Sequence, residues 1–110
     1  MGEAWILKDD RSEAVRGDSV VRIVNTGTQI LVWLQGDNNG EPACVAQARE
    51  IPQGLDVALV SAMDLVRSRA GVWFIYQNGD EFLPYWFVEP MGKYLHHNGL
   101  DTAVRESPGV

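Results

Sequence analysis

The hydrophobic positions of this chain fall into short runs of two kinds. Residues 4–8 form a brief apolar run that predicts a first strand. Residues 19–25 alternate, with Val20, Arg22 and Val24 on one face and Val21 and Ile23 on the other. The turn residues Asn25-Thr26-Gly27-Thr28 follow, and then Ile30-Leu31-Val32-Trp33-Leu34 within 29–35, so residues 19–35 predict a β-hairpin. Residues 55–69 have the helical period. Leu55, Ala58, Leu59, Ala62, Met63, Leu65 and Val66 share one face; Asp56, Ser61, Asp64, Arg67 and Ser68 share the other. Asp56 and the pair Arg67 and Arg69 suit the two ends of the helix dipole, and Gly71 is placed to stop it. Val57 and Val60 fall in the polar arc, which implies that another segment partly covers them or that the helix starts later.

Residues 72–76 and 82–88 are two apolar runs around Gln77-Asn78-Gly79-Asp80. Asn-Gly predicts a two-residue turn, which pairs Ile75 with Phe82 and Phe74 with Leu83. That register sets Pro84 opposite Trp73, where proline cannot donate, so it demands a bulge or an open edge at Pro84. Pro90 and Gly92 end the second strand. The remaining stretches are less patterned. Residues 12–17 suit one helical turn or a loop, residues 43–50 a short helix after Pro42 or an irregular crossing, and residues 93–99 a short edge strand or a turn. The polar break at 36–42 and the length of 36–54 imply an element of untyped kind, and the last ten residues, 101–110, a loosely held tail.

These runs together predict a single α+β domain over residues 1–110. It has an antiparallel sheet of about four to six strands, flat or strongly curved, with one main helix packed on one face. Seven of the ten aromatic residues lie between Trp73 and Phe87. Their strands are apolar on both faces, so both faces require cover. The helix can supply one. A curled sheet, the 36–54 segment or another molecule must supply the second, and a second copy of the chain is the commonest such molecule. The candidate interface or ligand-binding residues are therefore Trp33, Trp73, Tyr76, Phe82, Tyr85, Trp86, Phe87 and Glu89.

The chain has 110 residues, 45% of them hydrophobic and 22% charged, with a formal charge of −6. A chain of this size buries enough surface to need no staple, and its single Cys44 allows no internal disulfide. The nine basic residues are scattered, which speaks against nucleic acid. The N-terminus lacks the basic start and apolar run of a secretory leader, and no apolar stretch reaches membrane-spanning length. These features read as a soluble, cytoplasmic protein without a membrane partner.

Candidate chemistry is sparse. Cys44 sits among alanines and reads as a small core residue rather than a nucleophile. His96 and His97, as strand neighbours, would point apart and cannot share a metal; no metal-ligand spacing supports them. The acid pairs Asp9-Asp10 and Asp80-Glu81 sit in turns. No phosphate-binding glycine pattern or catalytic serine motif is present. No metal or cofactor is expected, and catalysis is not indicated. The chain reads as a non-enzymatic acidic protein that acts by protein–protein contact, of the inhibitor, immunity or accessory type carried by phages and mobile elements, or as a self-associating homodimer. The alternative is a small-molecule binder, with Trp73, Tyr85 and Trp86 plus Glu81 or Glu89 forming a pocket for a cationic or apolar ligand.

Overall fold

The computed structural model describes residues 1–36 and 40–107. Seven strands, two helices and one short 3₁₀ turn make an α+β fold. The strands are β1 (Gly2–Leu7), β2 (Ala14–Arg16), β3 (Val20–Asn25), β4 (Gln29–Leu34), β5 (Ala43–Gln47), β6 (Gly71–Asn78) and β7 (Tyr85–Pro90). The helices are α1 (Leu55–Arg67) and α2 (Met91–His97). The expected single sheet is in fact two. The larger has the order β2-β1-β6-β7 and the smaller β3-β4-β5. Pairing is antiparallel except at the centre of the larger sheet, where β1 and β6 run parallel with Ile6 beside Ile75.

The hairpin of β3 and β4 and the main helix lie where the hydrophobic period puts them. Four other elements differ from expectation. Residues 43–47 are a strand rather than a helix, since Val45 and Ala46 are both fully buried between neighbours on β4 and the core. Residues 14–16 pair with β1 instead of forming a helical turn, which buries Val15. Residues 91–97 are helical: Pro90 ends the ladder and serves as N-cap, and the side chains of Tyr94 and Leu95 turn toward the protein. The Asn-Gly turn is replaced by a longer loop. Ile75 pairs with Val88 and Asn78 with Tyr85, so Pro84 leaves the ladder altogether. Gly79 takes φ +93°, and Asp80 Oδ1 accepts the amides of Phe82 (2.9 Å) and Leu83 (2.7 Å), closing the loop with its carboxylate. The partner of Ile75 moves by an even number of residues, so the faces of the second strand are unchanged.

One hydrophobic core joins both sheets and α1. Ile6, Ile30, Val32, Val45, Leu59, Val66 and Ile75 are its largest buried side chains. On the larger sheet, Ala4, Ile6, Trp73, Ile75, Trp86 and Val88 face this core. Helix α1 inserts Leu55, Leu59, Ala62 and Val66, and Trp86 Nε1 donates to the Leu55 carbonyl at 2.8 Å, fastening β7 to the first turn of the helix. At the other end β1 comes so close to α1 that any side chain at Gly2 would strike the backbone of Val66 and Arg69. The opposite face of the larger sheet carries Phe74, Tyr76, Phe87 and Glu89. Helix α2 covers it, with the Tyr94 ring edge-on to Phe74 at 4.9 Å and to Tyr76 at 5.5 Å. The two-faced strands are thus covered within the chain, by the segment 43–51 and α1 on one side and by α2 on the other. Residues 104–107 have no helix or strand and are exposed; the rest of the expected loose tail lies partly outside the described residues, as do residues 37–39 of the polar break at 36–42.

Leu59 is wholly enclosed. Leu59→Ala is expected to lower unfolding free energy by about 2–5 kcal/mol through lost burial and a cavity. Val57→Ala, on the exposed flank of the same helix, is expected to change it by less than about 0.5 kcal/mol. Urea denaturation of both variants checks the pair.

Candidate functional site

The eight residues singled out from sequence do not converge. Trp33 lies on the outer face of the smaller sheet and donates from Nε1 to the Gly40 carbonyl at 2.9 Å. Trp73 and Trp86 point into the core side of the larger sheet, whereas Tyr76, Phe87 and Glu89 share its opposite face. Phe82 is exposed in the β6–β7 loop, and Tyr85 is exposed at the start of β7 beside α1. Glu89 therefore cannot join Trp73 and Trp86 around one ligand. The aromatic faces are also occupied by cations of the chain itself. The guanidinium of Arg22 lies 4.7 Å from the Trp33 ring, that of Arg69 5.0 Å from Trp73, and that of Arg11 4.6 Å from Tyr76.

Glu89 is the one buried charged side chain among the described residues, 3% exposed. Its Oε1 accepts the Tyr76 hydroxyl at 2.6 Å. Its Oε2 lies 3.1 Å from His97 Nδ1 but outside hydrogen-bond alignment, so the histidine meets it as a close contact rather than a directed bond. Burial first, and then the hydrogen bond to the Glu89 carboxylate, push the Tyr76 hydroxyl well above its ordinary pKa. Tyr76 stays a neutral donor. The cluster is enclosed by α2, and its chemistry is that of a polar tie between sheet and helix. His97 reaches it because helical neighbours diverge by about 100° rather than 180°. That leaves His96 to bond Asp101 Oδ2 at 2.6 Å in solvent, which lowers the Asp101 pKa. Cys44 is half-buried with its thiol 3.2 Å from the Ala46 carbonyl. Burial and the nearby Asp9 carboxylate raise its pKa, the reverse of what a nucleophile needs. Among the described residues no group of three or more His, Cys, Asp or Glu is placed to hold a metal. No helix there is long and apolar enough to cross a membrane.

Open grooves lie elsewhere on the surface. A groove of about 650 Å³ runs between β3 and α1. On the strand side it is lined by the consecutive residues Val20, Val21, Arg22 and Ile23. Beyond the bulge at Val20–Arg22, Arg22 and Ile23 point to opposite faces, so a groove lined by both follows the edge of β3 and not a face. On the helix side Val57, Val60 and Met63 form a stripe at helical spacing. Val21, Val57 and Val60 are 63%, 67% and 52% exposed. The two valines in the polar arc of α1 were legible as an anomaly. The helix starts at Leu55, so a later start does not explain them, and beside β3 both stay more than half exposed. A smaller groove of about 400 Å³ flanks the other side of α1, between Leu65 and Tyr85, and there the Trp86 indole bridges strand to helix.

No protein-family model matches the chain, and neither a curated protein nor a solved structure matches it.

Removing the Tyr76 hydroxyl leaves a buried carboxylate oxygen without its donor. Tyr76→Phe is expected to cost about 1–3 kcal/mol in unfolding free energy, measured by denaturant titration at neutral pH. A change under about 0.5 kcal/mol would show that Glu89 is solvated rather than enclosed.

Proposed function

We propose that this chain is a non-enzymatic binding protein that acts by protein–protein contact through the groove between β3 and α1. The carrying observation is the uncovered stripe of Val21, Val57 and Val60 along a concave surface. Exposed apolar residues are ordinary when scattered, but aligned along a groove they mark a site for a partner. The aromatic residues first favoured for this role are largely spent within the chain, as core, as lining under α2 or as platforms for its own arginines. The same arginines weigh against a cationic small molecule on Trp33, Trp73 or Tyr76, since each ring face already holds a guanidinium. Self-association remains a form of protein–protein contact, but an isologous dimer needs a self-complementary patch, and a concave groove instead fits a convex partner.

The reading is tested by display of fragments from the source genome against the wild-type chain and the double variant Val57→Asp, Val60→Asp. Both substitutions lie on the exposed flank of α1, so the thermal midpoint is expected to stay close to that of the wild type. Fragments enriched on the wild type are expected to lose at least tenfold in affinity for the variant. Equal retention by the two proteins, or no enrichment on the wild type, contradicts the reading.

A further inference from the structure

We infer that the groove takes an extended peptide segment, which adds as a fourth strand to the free edge of β3 and carries a basic residue at the end that meets Asp56. This rests on the groove being the binding surface and names the form of its occupant.

The smaller sheet treats its two edges differently. The outer edge of β5 is satisfied within the chain: the Cys44 carbonyl accepts the Asp9 amide at 3.1 Å, and the Gln77 side-chain amide exchanges two bonds with the Gln47 backbone, at 2.9 and 3.1 Å. The β3 edge has no such cover at its centre. The bond from Thr26 N to the Gln29 carbonyl, 2.9 Å, marks positions 26 and 29 as a bonded pair. In an antiparallel ladder bonded and non-bonded pairs alternate, and the register places Ile23 opposite Val32 at a non-bonded position. The amide and carbonyl of Ile23 therefore point away from β4, into the groove. A bulge between Val20 and Arg22 interrupts the ladder and limits the template to the segment beyond it. Backbone groups ready to pair, facing an aliphatic helix stripe, are what a strand-adding peptide requires: main-chain bonds on one side, and alternate side chains against Val57, Val60 and Met63.

Charge sets the flank. The Cβ position of Gly17 lies against Met63 of α1, and Asn25 shares a small cleft with Gly54 and Asp56. Strand β3 and helix α1 are therefore antiparallel, with Asp56 at one end of the groove and both Asp18 and Arg67 toward the other. Among the described residues Asp56 has no ion-pair partner, and Arg22, itself a lining residue, lays its guanidinium over the Trp33 ring. Asp18 and Arg67, of opposite charge, share the far end, whereas no basic residue lines the cleft at the Asp56 end among the described residues, so the charge left to be met is the Asp56 carboxylate.

The experiment selects a displayed library of random dodecapeptides on the full chain. Enriched peptides are expected to carry aliphatic residues at every second position with Lys or Arg at one end. A selected synthetic peptide is then scanned by N-methylation of single backbone amides. Loss of at least tenfold in affinity at alternate positions, with little effect between them, is the expected pattern. Asp56→Asn is expected to remove the preference for the basic end. A flat scan, a three-to-four-residue period of essential positions, or an enriched set without a basic end overturns the inference. If such peptides still lose affinity for the Val57→Asp, Val60→Asp variant, the groove reading survives that failure. Peptides that bind the variant equally, or no enrichment, overturn both, whereas a concentration-dependent dimer blocking the edge overturns the peptide inference alone.

Discussion

The parallel pairing of β1 with β6 is the constraint on which the rest of the molecule depends. Neighbouring parallel strands cannot be joined by a tight turn and need a crossover. Here that crossover contains the whole smaller sheet and α1. It returns over one face of the larger sheet, where Leu59 and Val66 meet Ile6 and Ile75 in a single core. Because α1 is wedged between the two sheets, only part of its circumference is buried. The flank carrying Val57 and Val60 is left beside β3, and the groove is a consequence of how the crossover closes.

The second face of the larger sheet is solved more locally. Strand β7 runs straight into α2 through Pro90, so the helix has little freedom but to fold back on the strands that precede it. Aromatic edge-to-face contacts through Tyr94 and the tie from Tyr76 to buried Glu89 hold it there. A buried carboxylate is costly unless it is bonded, which makes this contact specific as well as adhesive. Three arginines that would otherwise enlarge a basic surface lie instead across the rings of Trp33, Trp73 and Tyr76.

Elements with a strong period were legible in the sequence: α1 from its apolar stripe, and the β3–β4 hairpin from alternation around Asn25-Thr26-Gly27-Thr28. Elements that take their form from partners far along the chain were not. Residues 43–47 have little strand propensity and become a strand because β4 offers an edge and the core offers space for Val45. The Asn-Gly signal at 78–79 is overridden because Pro84 would have stood in the ladder, and the Asp80 carboxylate supplies a wider closure. The need for cover on both faces of 72–88 was readable, whereas the identity of the cover was not, since the parallel pairing that creates it leaves no local mark. The groove was half visible: Val57 and Val60 stood out of place on the helix, but the β3 edge beside them emerges only from tertiary structure.

Native-state hydrogen exchange of the free chain, resolved residue by residue, reads the central claim directly. The amides of Ile6 and Ile75, in the strands covered on both faces, are expected to exchange only through global unfolding. The Ile23 amide is expected to exchange within about tenfold of an unprotected amide, because its side of β3 is open. Protection at Ile23 comparable to that at Ile75 would mean that the edge is already covered, and would contradict the account.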